Sequence, residues 1–270
     1  MVVAPASDAT NFLSYDHIVA DPRVHLEFLD AREAWPPLLR PGVLAGLGAY
    51  DAWEARVLQA FLQPVVDGRP LAETMGDLVR WTDWIRDWRP ADGALEVRVG
   101  RPWRARRGPA APPPGPTVIS NLLDDLISRV PAPWRPASWP AGLTDAFLDG
   151  KPLSRRQAEA AVGRYLATRL IGSWVAYQGS GFRSVVASLV SAHAVVTEAL
   201  LRTTEAAPTF GHLTTALRAT DWLLLHLLDR QEWACWCAAT ETAVEAGRLL
   251  ELVNSASASF DALPWPPEVV

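Results

Sequence analysis

The fold is decided by residues 182–202, which read F-R-S-V-V-A-S-L-V-S-A-H-A-V-V-T-E-A-L-L-R. Apolar side chains from Phe182 to Leu200 recur at three- and four-residue spacing, the period of one helical face, and His193 lies in the middle of that stripe. Small residues such as Ser191 form a second face that lets a neighbouring helix approach closely. A helix with two packing faces belongs in the interior of a helical bundle.

The helical pattern continues on both sides of this stretch. Apolar spacing, with breaks at Pro and Gly, predicts helices, the last of them bent or broken, at 23–35, 50–64, 71–88, 155–178, 182–202 and 209–253. Ser154 is the expected N-cap of the helix that starts at 155. We therefore predict an all-α fold, an irregular helical bundle.

The chain divides into three regions that together form one interdependent domain. A helical N-terminal subdomain covers 1–90, a basic and Pro-rich irregular segment with one short helix covers 91–150, and a helical bundle covers 151–258. The short helix has Ser120 or Asn121 as its expected N-cap.

A short insertion near 94–116 interrupts the helical pattern. Its first part, L-E-V-R-V at 95–99, alternates with a period of two and predicts a strand, and a Pro-rich and Arg-rich loop follows. Guanidinium groups pair well with carboxylates and phosphates, so this arginine-rich segment is a candidate docking site for an anionic ligand or an acidic protein partner. The alternative is a solvated loop. Its arginines have no acidic residue among them and are Arg98, Arg101, Arg104, Arg106 and Arg107.

Composition narrows the functional classes. The chain of 270 residues has a net charge of -5, which gives no reason to expect nucleic-acid binding. Lys151 is the one lysine among 25 basic residues, a bias typical of a GC-rich bacterial genome. The N-terminus lacks the pattern of a secretory signal, and the apolar stretch Ser184–Thr197 is shorter than the ~20 residues that span a bilayer. We expect a soluble cytoplasmic protein that does not bind a membrane.

The chain contains no familiar sequence motif for metal binding or nucleotide binding. Cys235 and Cys237 are two residues apart on a predicted helix, where their side chains cannot face each other. No Cys and His spacing resembles a zinc site, and the G-x-G-x-x-G, G-K-[ST], G-x-S-x-G and H-E-x-x-H patterns do not occur. We therefore expect neither a metal nor a cofactor.

The main candidate site lies in residues 219–237, A-T-D-W-L-L-L-H-L-L-D-R-Q-E-W-A-C-W-C. On a continuous helix, one face carries Trp222, His226, Asp229 and Trp233, and the imidazole and the carboxylate are one turn apart. The carboxylate would orient the imidazole, with the two tryptophans as walls of a cavity. We predict His226 as the catalytic acid/base and Asp229 as its positioning residue. The alternative is that both side chains only form hydrogen bonds in the core or that Asp229 pairs with an arginine.

Four further residues complete the predicted site. Glu198 is a second candidate for acid/base catalysis. His193 is a candidate ligand-binding residue or, alternatively, a core histidine with satisfied hydrogen bonds. Arg169 and Tyr177 project from one face of the preceding helix as substrate-binding residues, and the guanidinium can reach inward to a buried carboxylate or to an acid group of the ligand.

A short motif gives another interpretation. The segment from Ser180 to Ser184, S-G-F-R-S, resembles the serine-glycine-phenylalanine segment of the haem-dependent tryptophan dioxygenase family, which is also all-α. The resemblance covers these five residues and implies a haem-binding, oxygenase-like protein. His193, His212 or His226 would then serve as the axial ligand.

Two functional hypotheses from different classes follow. The first is a bacterial enzyme of specialised metabolism that binds a small polar or anionic substrate in a tryptophan-lined cavity and performs metal-free acid/base chemistry. The 13 tryptophans favour such a cavity. The second is a co-catalytic or non-catalytic subunit of a two-protein enzyme that docks through the arginine-rich segment, since Trp and Arg dominate interface hot spots. In either case we expect an oligomer, of identical or of different chains.

Overall fold

The computed structural model describes residues 37–67, 69–101, 114–115, 117–140, 150–171, 181–239 and 243–267. The helices are α1 (Leu47–Asp67), α2 (Leu71–Arg86), α3 (Leu95–Gly100), α4 (Val118–Ser128), α5 (Arg155–Ile171), α6 (Gly181–Thr203), α7 (Phe210–Asp221), α8 (Arg230–Ala239) and α9 (Ala243–Asp261). The other elements are a small antiparallel hairpin of β1 (Leu38–Arg40) and β2 (Val43–Leu44) and a π-helical turn at Trp222–Leu227. The all-α fold is confirmed, while the predicted helix at 23–35 lies outside the described residues.

The helix α6 is the centre of the fold, in agreement with its two packing faces. It contacts α2, α4, α5, α7, α8 and α9 as well as β1, and nearly all of its residues are buried. Its 23 residues are long and apolar enough to cross a membrane, longer than the stretch at 184–197 indicated. However, 94% of its apolar window is enclosed by the protein, which is typical of the core helix of a soluble protein.

The N-terminal helices share this core. Tyr50 and Trp53 of α1 pack around Phe182 at the start of α6, with ring centroids 5.6 and 4.7 Å from the Phe182 centroid. An added Cβ on Gly163 of α5 would come within 2.8 Å of the Phe61 carbonyl oxygen, so glycine is needed where α1 and α5 approach closely. One hydrophobic cluster includes side chains from both predicted helical regions, and the division into three regions stays a prediction.

The helices α5 and α7 start side by side. The amides of Leu153 and Phe210 donate to the carbonyl oxygens of Pro208 and Lys151, at 3.0 and 3.1 Å. The hydroxyl of Ser154 accepts an amide of the first turn of α5, which confirms the predicted N-cap. About three turns later Tyr165 of α5 and Asp221 of α7 are also in contact, so the two helices run in the same direction.

The long helix predicted at 209–253 is broken, as expected. After α7 ends at Asp221, the chain widens into the π-helical turn, and the Leu228 amide donates to the Leu223 carbonyl oxygen five residues back, at 3.0 Å. Leu228 has an extended backbone, with a ψ of 133°, and α8 starts two residues later. The chain therefore changes direction between α7 and α8.

The strand predicted at 95–99 was wrong, because these residues form the short helix α3. Leu95 and Val99 lie four residues apart and are buried on one helical face, while Val97 between them is exposed. Five alternating residues are compatible with a strand and also with one turn of a helix. The burial of Leu95 and Val99, four residues apart, fits the helix.

The short helix α4 starts earlier than predicted. Thr117 occupies the N-cap position, so Ser120 and Asn121 lie inside the helix. Both are common N-cap residues, but Ile119 is buried in α4, and its packing requires the helix to begin before it.

Candidate functional site

A buried polar cluster lies where the far end of α5 meets the end of α7. The phenol of Tyr165 donates to Asp221 Oδ1 at 2.8 Å, and Arg169 Nη1 donates to the same oxygen at 2.9 Å. Arg169 Nη1 also lies 3.4 Å from the Tyr165 hydroxyl oxygen, and the guanidinium carbon is 5.8 Å from the Tyr165 ring centroid. We call these three residues the α5–α7 cluster.

The local sequence explains how the cluster forms. Tyr165 and Arg169 are four residues apart on α5, so their side chains leave the same helical face. Because α5 and α7 start side by side and run in the same direction, that face meets the end of α7 after about three turns. Asp221 is the last residue of α7, directly before the π-helical turn.

Burial controls the protonation of this cluster. Burial is the main cause that raises the pKa of Tyr165 well above its usual value, so the phenol stays protonated and can donate. The pKa of Arg169 is also raised: burial opposes its charge, but Tyr165 and Asp221 together outweigh that effect. Cys237 of α8 lies nearby, and burial raises the pKa of its thiol against the effect of Arg169. A charged guanidinium therefore has a neutral phenol and a neutral thiol as neighbours.

Some polar atoms of the cluster are open. Both hydrogen bonds to Asp221 end on Oδ1, and Oδ2 accepts none from the described part of the chain. Arg169 donates only through Nη1, so Nε and Nη2 have no acceptor among the described residues. The side chains of Arg169 and Asp221 are 11% and 22% exposed, and neither has a polar atom that is both buried and without a partner. The open atoms therefore have some contact with solvent.

The structure separates the predicted catalytic pair. His226 is exposed in the π-helical turn, and Asp229 is exposed just before α8. The Asp229 carboxylate accepts the amides of Gln231 and Glu232 at 2.7 and 3.4 Å, so it caps α8. No hydrogen bond among the described residues joins His226 to Asp229, because the helix expected to carry both ends between them. The expectation that this pair lies on a buried face is wrong.

The two tryptophans predicted as cavity walls have different surroundings. Trp222 is half-buried, follows Asp221 directly and packs against the core. Trp233 is buried and stacks on Trp236, with ring centroids 5.4 Å apart, and Trp236 donates to Asp125 Oδ2 of α4 at 3.0 Å. Trp233 therefore anchors α8, and Trp222 is the tryptophan next to the α5–α7 cluster in the chain.

Glu198 is buried and links helices. Its Oε1 accepts hydrogen bonds from Ser120 Oγ at 3.0 Å and from Arg202 Nε at 2.8 Å. Arg202 also donates to the Trp139 carbonyl oxygen at 3.4 Å. These bonds connect α4 and α6, and no hydrogen bond or ion pair within the described ranges brings Glu198 to the predicted catalytic pair.

His193 is buried in the middle of α6, and one nitrogen of its imidazole lacks a hydrogen bond from the described residues. Its Nδ1 has no partner in the part of the chain that the structure describes. Burial alone lowers the pKa of His193 to about 4. No charged group contributes to that shift, and no hydrogen bond among the described residues joins His193 to the α5–α7 cluster. It is a core histidine, but its hydrogen bonds are not satisfied as the alternative interpretation assumed.

The prediction for Arg169 is confirmed in one respect. Its guanidinium reaches inward and pairs with a carboxylate, and that carboxylate belongs to Asp221. Tyr177, predicted as its neighbour on the same face, lies outside the described residues.

The arginine-rich segment is described only at its start. The Arg98 guanidinium lies 4.4 Å from the Trp84 ring centroid, donates to the Trp84 carbonyl oxygen and pairs with Asp92 at 3.5 Å. Arg98 therefore caps the end of α2 and is not free to bind an anion. Arg101 is exposed. The remaining members lie outside the described residues and are Arg104, Arg106 and Arg107.

Two described residues of the S-G-F-R-S motif, Phe182 and Arg183, have contacts within the fold, while Ser180 lies outside the described residues. Phe182 is enclosed in the aromatic cluster with α1, and Arg183 binds Asp83 of α2 at 2.6 Å. Among the candidate axial ligands, His212 accepts a backbone amide at the start of its own helix and His226 is exposed. Among the described histidines, His193 has a buried Nδ1 without a hydrogen-bond partner in the described ranges, and it lies inside the central helix.

Sequence reasoning missed two members of the α5–α7 cluster. Tyr165 could have been found, because it precedes Arg169 by one helical turn on the inward face. Asp221 lies within the quoted stretch 219–237, but its two partners, Tyr165 and Arg169, come from a helix about fifty residues away in the chain. Only the paired starts of α5 and α7 bring the two together.

Comparison of the chain with protein-family models, with curated proteins and with solved structures gives no match. Within the described residues, no three His, Cys, Asp or Glu side chains lie close enough together to hold a metal ion. Cys235 is exposed and Cys237 is buried, which confirms that the two thiols do not face each other.

Proposed function

We propose that the protein is an enzyme that performs acid/base chemistry on a small polar or anionic molecule at the α5–α7 cluster. Asp221 is the proton acceptor, and Tyr165 and Arg169 are positioning residues that hold its carboxylate. The observation that carries this proposal is the one-sided engagement of Asp221, whose Oδ1 receives both donors while Oδ2 is open.

The arrangement has the physical properties that a general base needs. A carboxylate held at one oxygen presents the other in a defined direction. Tyr165 stays neutral, so a proton lost by the ligand goes to Asp221 Oδ2, and the guanidinium of Arg169 favours negative charge that develops on the ligand beside it. The π-helical turn that follows Asp221 supports the proposal, because such turns are uncommon and occur frequently at functional sites.

The biological setting of the proposal comes from composition. The near absence of lysine among 25 basic residues favours a bacterial protein. We place the enzyme in specialised metabolism, acting without a metal.

Conversion of a pooled panel of small carboxylic acids, hydroxy acids, amino acids and amines, followed by liquid chromatography and mass spectrometry, tests the proposal. The wild-type protein should convert at least one compound, and Asp221→Asn should lower the rate about 100-fold or more. Asp83→Asn is the matched control, because Asp83 is also partly buried and paired with an arginine, Arg183, at 2.6 Å. Absence of any conversion, or equal rates for both variants, contradicts the proposal.

One observation favours the second hypothesis, a partner-dependent subunit. Trp134 is 70% exposed on the 3-10 turn at Ala132–Trp134, and exposed tryptophan is enriched in interface hot spots. Under this hypothesis the purified chain converts nothing until the protein encoded beside it is added, and Trp134→Ala weakens the complex in size-exclusion chromatography. A chain that is active alone contradicts it.

A further inference from the structure

Two surface segments of the protein are tied together at both of their ends. The first segment follows α4, and the second joins α7 to α8. At one end Arg129, directly after α4, pairs with Glu232 of α8 at 3.7 Å. At the other end the indole N–H of Trp139 donates to the Ala219 carbonyl oxygen of α7 at 3.3 Å. The two segments therefore run side by side in opposite directions, and their middles lie on the same side of the molecule.

Both segments expose apolar side chains at their middles. Trp134 ends a run of four exposed apolar residues, P-A-P-W at 131–134, and is itself 70% exposed. On the neighbouring segment, Leu225 of the π-helical turn is 50% exposed. We call Leu225 and residues 131–134 the tryptophan patch. Contiguous apolar surface of this kind marks an interaction site on a soluble protein.

The tryptophan patch is ordered before anything binds to it. Pro131, Pro133 and Pro136 each fix a backbone φ angle on either side of the exposed tryptophan. The Arg135 guanidinium closes the turn, because its Nη2 donates to the carbonyl oxygens of Ser128 and Val130 at 2.6 and 3.2 Å. A partner that docks on this surface therefore loses little conformational entropy in ordering it.

The charged side chains beside the tryptophan patch indicate which partner it fits. Arg129 and Arg135 are exposed on the segment that carries the tryptophan, and Asp229 and Glu232 are exposed after the π-helical turn. In a two-fold contact a patch meets itself, so a surface of one sign would repel its own copy. Two bases against two acids avoid that repulsion and give each base an acid to face. The surface therefore complements a second copy of this chain better than a strongly charged partner.

We propose that the tryptophan patch is the contact between two copies of this chain in a two-fold symmetric dimer. Trp134 of each copy packs against Leu225 and the Pro-Ala-Pro run of the other, and the four charges form the rim of the contact. This inference assigns the expected oligomer to one surface and does not depend on the proposed enzyme.

A second pair of exposed apolar side chains supplies the matched control. Leu44 of β2 and Val97 of α3 are 59% and 62% exposed. A carboxylate lies beside this pair, since Glu96 precedes Val97 and its Oε1 would be 3.2 Å from a Cβ added to Gly46. Because α3 packs on α1 and α2, a substitution of Val97 tests the loss of an exposed apolar side chain away from the tryptophan patch.

Size-exclusion chromatography with light scattering, between about 1 and 200 μM protein, tests the inference. The wild-type mass should approach twice 29.5 kDa, with a dimer dissociation constant of about 10 μM or tighter. Trp134→Ser should raise that constant about 30-fold and Leu225→Ser about fivefold, while Val97→Ser should leave it unchanged. Circular dichroism checks that each variant is folded.

Charge reversal distinguishes a contact with the same chain from other contacts. Glu232→Arg makes the rim basic and Arg129→Glu makes it acidic, so each variant alone should dimerise about tenfold or more weakly than the wild type. An equal mixture of the two variants should recover the dimer, because the basic rim then meets the acidic one.

Four results would each overturn the inference. They are a monomer over the whole concentration range, a dimer that Trp134→Ser leaves unchanged, an equal loss in Val97→Ser, and no recovery in the charge-reversal mixture. A chain that stays monomeric alone and binds only the protein encoded beside it gives the first of these results and supports the partner-dependent subunit instead.

Discussion

The α5–α7 cluster and the ion pair of Arg183 with Asp83, which we call the α2–α6 pair, each join two helices through an arginine and a carboxylate of similar burial, yet their surroundings differ. At Asp83, two nitrogens of Arg183 bind one oxygen, and Arg86 lies 4.0 Å away. At Asp221, one nitrogen of Arg169 and one phenol bind one oxygen. An ion pair that uses the whole fork of its arginine is complete, while one that uses a single nitrogen keeps binding capacity.

The electrostatics of the two regions differ in the same sense. Burial raises the pKa of Asp83 in spite of Arg183, and burial together with Arg183 lowers the pKa of Arg86 to about 10. Positive charge is therefore crowded at the end of α2. At the α5–α7 cluster the partners of Arg169 raise its pKa, so its charge is favoured.

The largest expected difference between the regions concerns the loss of the arginine. Arg169→Gln should lower the free energy of unfolding by about 3 kcal/mol, because Asp221 keeps only one donor for a partly buried charge. Arg183→Gln should cost about 1 kcal/mol, because Arg86 remains near Asp83 and the repulsion between the two arginines ends. Urea unfolding at pH 7.5 measures both, and a larger cost for Arg183→Gln would reverse the comparison.

The free energy of unfolding should depend on pH through His193, so the two arginine variants must be compared at one pH. Burial lowers the pKa of His193 from 6.5 to about 4, so the unfolded chain takes up a proton first as the pH falls. Stability should therefore drop by about 3 kcal/mol in total as the pH falls from 6.5 to about 4. Urea unfolding at several pH values should show this drop in the wild type, and the drop should be about 3 kcal/mol smaller in His193→Leu. The surface variant His226→Ala should keep the wild-type profile, and an equal drop in His193→Leu contradicts the assignment.

Removal of the phenol sharpens the contrast further. Tyr165→Phe deletes one of two hydrogen bonds to Asp221 Oδ1 and should lower the free energy of unfolding by about 1–2 kcal/mol. The open edge of Arg169 is not touched, so binding of a small carboxylate such as lactate should not change. Thermal or urea unfolding and an NMR titration with lactate measure the two effects, and loss of lactate binding with stability unchanged would show that the phenol itself binds the ligand.

The smallest effect is expected for the exposed residues that the sequence pattern favoured. Asp229→Ala removes a helix cap and should cost about 1 kcal/mol, with no change in ligand affinity. Gln231→Ala, in the first turn of the same helix, is the control for a substitution that keeps the cap. A drop in ligand affinity for Asp229→Ala alone would show that the ligand binds at the start of α8.

The sequence predicted the helices well because their patterns are long. Residues 182–202 repeat an apolar spacing over five turns, and the structure extends this helix by one residue at each end. The five residues at 95–99 are too few to distinguish a period of two from one helical turn, and the predicted strand was wrong there. A longer repeat therefore distinguishes a helix from a strand, while a repeat of five residues does not.

The candidate site could be predicted only in part. Arg169 was expected to reach a carboxylate, and it does, because its inward face follows from α5 alone. The partnership with Asp221 depends on how two helices start together, and the separation of His226 from Asp229 depends on a π-helical turn. Neither the contact nor the separation can be predicted from residue spacing along one regular helix.

The claim that Arg169 has an open edge and Arg183 does not can be tested directly in the NMR signals of the arginine Nε–H groups during titration with lactate. Arg169→Lys and Arg183→Lys assign the two signals. The account predicts a saturable shift of the Arg169 signal, absent with 1,2-propanediol, and no shift of the Arg183 signal. A stationary Arg169 signal, or equal shifts of both, would contradict the account.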